Sequence, residues 1–65
     1  MDKITVSVDA MGGDNAPVNE VAGAVETVRE KNDINVILVG KQSRIEKELS
    51  KYSYDPERIK IHHRL

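Results

Sequence analysis

The chain contains no cysteine, no phenylalanine and no tryptophan, and its two tyrosines are its only phenolic rings. Without thiols there is no disulfide framework, no thiolate metal site and no cysteine nucleophile, a composition that suits a reducing cytoplasm. Without large aromatic rings, any core has to be assembled from Val, Ile, Leu and Ala. Excess charge is also missing: ten Lys and Arg oppose eleven Asp and Glu, for a net charge of −1. Neither sign forms a long block, which argues against a dedicated nucleic-acid surface. The longest apolar run, Val36-Ile37-Leu38-Val39, falls far short of the ~20 residues that span a bilayer. Nor does an apolar block follow Met1-Asp2-Lys3, so no secretory signal is expected. A chain of 65 residues buries only about 60% of its unfolded surface. It is one small domain or a portion of a larger one.

What is present is periodicity. Ile4, Val6 and Val8 alternate with Thr5 and Ser7, the period of a strand, and predict one over residues 3–9. Val18, Val21, Ala22, Val25 and Val28 recur at helical spacing, predicting a helix over 17–31 with Pro17 in its first turn. The apolar run 34–39, closed by Gly40, reads as a strand buried on both faces. Ser43-Arg44-Ile45-Glu46 has the form of a capping box opening a helix over 43–52. Asp55-Pro56 breaks the chain, and Ile59 and Ile61 resume alternation in a strand over 58–62.

Strand, helix, strand, helix, strand predicts an α/β fold: a parallel βαβαβ unit with right-handed crossovers. In such a sheet the C-terminal strand ends share one rim, where open α/β sheets bind ligands. That rim would carry residues 9–15, Gly40-Lys41 and His62-His63. The stretch Asp9-Ala10-Met11-Gly12-Gly13-Asp14-Asn15 places two of the four glycines side by side between aspartates. Two readings fit it. One is a tight strand-to-helix turn in which the glycines adopt positive φ and Asp14 caps the helix. The other is an anion-binding loop that aims backbone N–H groups and a helix dipole at its ligand. It matches neither dinucleotide nor Walker spacing. His62 and His63 are adjacent on a strand, so their side chains point to opposite faces and do not share a metal. No metal site and no cofactor are expected. No Ser-His-Asp arrangement can be assembled.

The stretch Val-Asp-Ala-Met-Gly-Gly-Asp-Asn-Ala-Pro, residues 8–17, resembles the amino-terminal signature of the PlsX-type phosphate acyltransferases of bacterial phospholipid synthesis. The Val/Ala-rich helix, the Val-Ile-Leu-Val-Gly strand at 36–40 and Arg-Ile-Lys-Ile-His-His at 58–63 are similar too. The resemblance covers nearly the whole chain. It implies an enzyme that transfers a fatty acyl group from acyl carrier protein to inorganic phosphate. It also implies a larger three-layer Rossmann-like α/β/α sheet, a homodimer, a cytoplasmic location and peripheral membrane association. The residues it singles out for phosphate or substrate are Asp9, Gly12, Gly13, Asp14 and Asn15, with His63 a weaker candidate; catalytic residues are not identified. Residues 1–65 would then be the amino-terminal portion of a single acyltransferase domain, inactive in isolation. After His63 the chain departs from the family pattern with Arg64-Leu65. A non-catalytic α/β module that binds an anion or a partner through the same rim is the alternative.

Overall fold

Alternating β-branched residues favour extended chain, and the three apolar stretches pair side by side. The computed structural model describes residues 3–64. Its elements are β1 (Ile4–Asp9), α1 (Val18–Glu30), β2 (Ile34–Gly40), α2 (Gln42–Leu49) and β3 (Ile59–His63). The strands form one sheet in the order β1-β2-β3, and both pairings are parallel. The expected βαβαβ unit is therefore what forms. Each boundary lies close to its predicted place, except that α2 stops at Leu49 rather than 52.

Both helices pack on the same side of the sheet. Val36, Leu38 and Gly40 of β2 are buried beneath them, together with Val21, Val25 and Ile45 from the helices. The alternate residues Asn35, Ile37 and Val39 are only half-buried. The strand is thus covered on one face, not two as its continuous apolar character suggested. The physical reason is topology: successive crossovers of one hand, advancing in one direction across the sheet, leave both helices on a single face. The described residues form two layers.

The base of the sheet is tied together by Arg58. Its guanidinium donates to the carbonyl oxygens of Val28, Lys31 and Ile34, clasping the end of α1 to the start of β2. The turn before β3 aims it there. Asp55 accepts from the Glu57 N–H through its side chain (2.9 Å) and from the Arg58 N–H through its carbonyl (3.0 Å). Pro56 has the fixed φ that such a turn favours.

Candidate functional site at the sheet rim

Parallel pairing brings the three C-terminal strand ends together. Register sets Asp9 beside Val39 and Val39 beside His62, all on the face away from the helices, while Gly40 pairs with His63. Ala10 extends the ladder by one step, donating its N–H to Val39 O at 2.9 Å, and is fully buried. The chain then turns outward. Met11 donates its N–H to Asp9 Oδ1 (3.0 Å), so Asp9 shapes the turn that follows it. The Met11 side chain lies against Gly40, where a Cβ would stand 2.6 Å from Met11 Cγ. Gly40 is small because the loop is seated on it.

Residues 12–15 are exposed. Among the described residues, the N–H groups of Gly12, Gly13, Asp14 and Asn15 have no acceptor, while Gly13 O and Asn15 O accept from the Ala16 and Val18 N–H groups. Four consecutive free donors just ahead of α1 are available to water or to an anion. The glycines do not provide this through left-handed backbone, since among the described residues none, glycine or other, has positive φ. What Gly13 contributes is space. A Cβ on Gly13 would lie 2.5 Å from Glu20 Oε2, whereas one on Gly12 would meet only ordinary contacts at 3.5 Å. Asp14 does not cap α1: the N-cap residue is Pro17, ahead of rather than within the first turn, and no side chain caps the helix.

Two guanidinium groups that the motif did not reveal flank this loop. Arg44 of α2 donates to Ala16 O at 3.4 Å. Arg64, just past β3, reaches across the end of β2 to Asp9 Oδ1 at 3.2 Å, with both side chains more than half exposed. The Met11 N–H holds the Asp9 carboxyl below its usual range; desolvation opposes it, and the Arg64 guanidinium adds to the lowering. The sequence signal for Arg44 was present in its place after the β2 turn, but a helix face rich in charge hides it among solvated residues. Arg64 had no sequence signal beyond its position at a strand end.

His63 has a specific partner. Its Nδ1 accepts the Gln42 N–H at 3.1 Å, so β3 caps α2. The capping box expected from Ser43 and Glu46 is absent: α2 begins one residue earlier, after Lys41, with no cap from its own neighbouring side chains. An acceptor Nδ1 puts the neutral ring's proton on Nε2. His63 therefore enters the rim as a helix cap with one nitrogen free. Asp9, the glycine loop, His63 and the two arginines all meet at this end of the sheet, whereas Asp14 and Asn15 project outward on the exposed part of the loop. Among the described residues no cluster of metal-ligating side chains occurs.

Residues 4–64 match the model of the family described as "Fatty acid synthesis protein". The chain belongs to that family. Several curated relatives carry the name phosphate acyltransferase. The one from Alkaliphilus oremlandii is 53% identical over 58 residues, covering 89% of this chain and 17% of its own. That of Clostridium kluyveri is 52% identical over 56 residues, 86% of this chain and 16% of its own. That of Fusobacterium nucleatum is 50% identical over 56 residues, 86% and 17% respectively. The chain thus spans about one sixth of the length of the relatives it matches. No helix among the described residues is long and apolar enough to cross a membrane.

Proposed function

We propose that these residues form the amino-terminal part of a phosphate acyltransferase domain, which moves a fatty acyl group from acyl carrier protein to inorganic phosphate. The observation that carries the reading is about 50% identity, across nearly the whole chain, to proteins named phosphate acyltransferase. In the reaction a phosphate oxygen attacks the thioester carbonyl. The carbon–sulfur bond breaks, the carrier thiol leaves with a proton, and the product is an acyl phosphate for phospholipid synthesis. Such a site has to hold an anion and offer donors to a developing oxyanion. The free amides of residues 12–15 support the first requirement, with Arg44 and Arg64 supplying positive charge beside them. Asp9 keeps the loop in register through the Met11 N–H. Asp14 and Asn15 of the exposed loop, and His63 through the ring nitrogen not used in capping, are further candidates for contact with the ligand. The remaining catalytic groups come from other parts of the domain, which acts as a cytoplasmic homodimer with loose membrane association.

Gly13→Val in the full-length enzyme carrying this segment tests the reading. A branched side chain at this position displaces the Glu20 carboxylate and crowds the free amides. The expected outcome is at least a tenfold rise in KM for phosphate with little change in thermal unfolding. A large loss of stability with unchanged kinetics in the folded fraction would reduce the loop to a turn. The 65 residues alone should give no acyl phosphate.

A further inference from the structure

The start of α2 depends on a side chain from another element. No neighbouring side chain caps this short helix. The acceptor is His63 Nδ1, which takes the Gln42 N–H at 3.1 Å from the end of β3. Main-chain bonds hold the ring there: His63 pairs with Gly40, and the Arg64 N–H donates to Gly40 O at 2.9 Å. Side chains alternate along β3, so His63 shares the helix-covered face with buried Ile59, and His62 lies on the other. Helix caps are mostly Ser, Thr, Asp or Asn, whose oxygens accept at any pH near neutrality. An imidazole accepts only while it is neutral, because in the charged ring both nitrogens are donors.

We propose that His63 is a pH-sensitive latch: neutral, it fixes the first turn of α2; protonated, it releases that turn, and the glycine loop loosens with it. A proton on Nδ1 sets two N–H groups face to face, at a helix N-terminus whose dipole also opposes a cation. The surroundings do not compensate. α2 has no acidic residue in its first turn, which carries Arg44 with Lys41 just before it. Its first carboxylate, Glu46, stands one turn further on, and Glu48 is engaged by Lys51. β2 ends in uncharged Gly40. From β1, Asp9 lies on the opposite face and is paired with Arg64. Among the described residues no carboxylate is paired with His63. The released turn reaches the loop at two points. Ile45, whose N–H closes that turn on Lys41 O at 3.1 Å, shares the seat over Gly40 with Met11: Ile45 Cδ1 and Met11 Cγ lie 3.3 and 2.6 Å from where a Cβ would stand. Arg44 holds the far end of the loop at Ala16 O. The latch operates whichever ligand the loop takes.

The test is NMR on the isotope-labelled chain between about pH 5 and 8, the range in which imidazoles ordinarily change charge. At the alkaline end a scalar coupling should link the Gln42 amide nitrogen to His63 Nδ1, with the ring proton on Nε2. As the ring takes its second proton the coupling should vanish. The protection of the Gln42 amide against exchange, corrected for the intrinsic effect of pH, should fall about threefold, as for a lost cap. The Met11 and Ala16 amides should shift along the same curve. His63→Asn is the control, because its side-chain oxygen falls near the place of Nδ1 and accepts throughout this range. Gln42 protection should then persist and the steps at 11 and 16 should disappear. Constant protection of Gln42 in the parent through the ring's titration would overturn the latch. Undiminished steps at 11 and 16 in His63→Asn would do the same, since their source would be His62. A step at Gln42 that does not reach 11 and 16 would refute the coupling to the loop. Should the chain alone be too poorly folded, exchange read by peptide mass over residues 10–17 and 41–45 of the full-length enzyme carrying this segment decides by the same criteria.

Discussion

Two arginines flank β3 and do opposite things. Arg58, before the strand, is half-buried and donates to three main-chain carbonyls at the base of the sheet. Arg64, after the strand, is exposed and makes one ion pair at the rim. The base is therefore fixed by charge-assisted bonds to three main-chain carbonyls, and these are among the stronger hydrogen bonds in proteins. The rim is held by contacts that water can replace at little cost. One short strand thus joins a rigid end to an adaptable one. The adaptable end is where the loop with free donors lies, the arrangement expected when binding residues sit on loops carried by a rigid scaffold.

The contrast is sharpest at Arg58. Arg58→Met keeps most of the apolar stem but strands the three carbonyls, and should cost about 3 kcal/mol. A chain of 65 residues has roughly 3–10 kcal/mol of stability in total, so this variant should lose from about a third to nearly all of it, read as a clearly lower denaturation midpoint by circular dichroism. A denaturation midpoint close to that of the parent would show that the base is not the rigid end. Gly40→Val comes next. Its added Cβ would meet Met11 Cγ at 2.6 Å and Ile45 Cδ1 at 3.3 Å, an overpacking that costs about 1–3 kcal/mol. Met11 is flexible and can move, but moving it unseats the glycine loop. Urea unfolding together with the chemical shifts of residues 10–15 should report both effects. Shifts confined to the β2–α2 junction would separate Gly40 from the loop.

Much of this was legible from residue order. Alternation at Ile4, Val6 and Val8 marks a strand with one apolar face, and the spacing of Val21, Val25 and Val28 responds to burial of one helix face, so they mark element type and the parallel order that follows from it. The run Val36 to Val39 misled for a physical reason: apolar character shows that a strand is central, not how many faces are covered, and coverage depends on where the chain crosses. The rim glycines were visible as a motif, but their role was not. Gly12 and Gly13 suggested positive φ, yet both take ordinary backbone, and only Gly13 leaves room that a side chain would take from a neighbour. Long-range contacts were invisible. Nothing local distinguishes Ser43, which begins a capping-box pattern, from His63, which is 21 residues from the amide that it caps.

That cap tests the rim at intermediate strength. His63→Ala leaves the Gln42 N–H to water. Because the site is exposed, the loss should fall at the low end of the range for helix caps, about 0.5–1 kcal/mol. Gln42 and Ser43 amides should exchange faster while those of β1 stay unchanged. A loss as large as that from Arg58→Met would place rim and base on an equal footing.

The smallest effect belongs to Asp9, and it is best read by titration. Its carboxyl is held below the ordinary aspartate value, chiefly by the Met11 N–H, with desolvation opposing and Arg64 adding to the lowering. A folded-state pKa below the unfolded one means that the ionised form favours the folded loop. The contribution is complete above the unfolded value, near pH 4, and disappears as pH falls through the lower folded value. No pH dependence from this residue is expected between pH 5 and 8. In the Arg64→Ala variant the larger cause remains, so the Asp9 pKa should rise only part of the way, and global stability at pH 7 should be unchanged within error. Asp9→Asn keeps an oxygen for the Met11 N–H but loses the charge. It should therefore remove the acid-side dependence of the loop and leave the sheet intact. Following the Asp9 side-chain carboxyl carbon by NMR from pH 2 to 6 checks each step. If Asp9 in the parent titrates at or above the ordinary value, its bond to Met11 is not what shapes the turn. If Arg64→Ala restores the ordinary value completely, the ion pair is the principal restraint, and the rim is held more firmly than its exposure indicates.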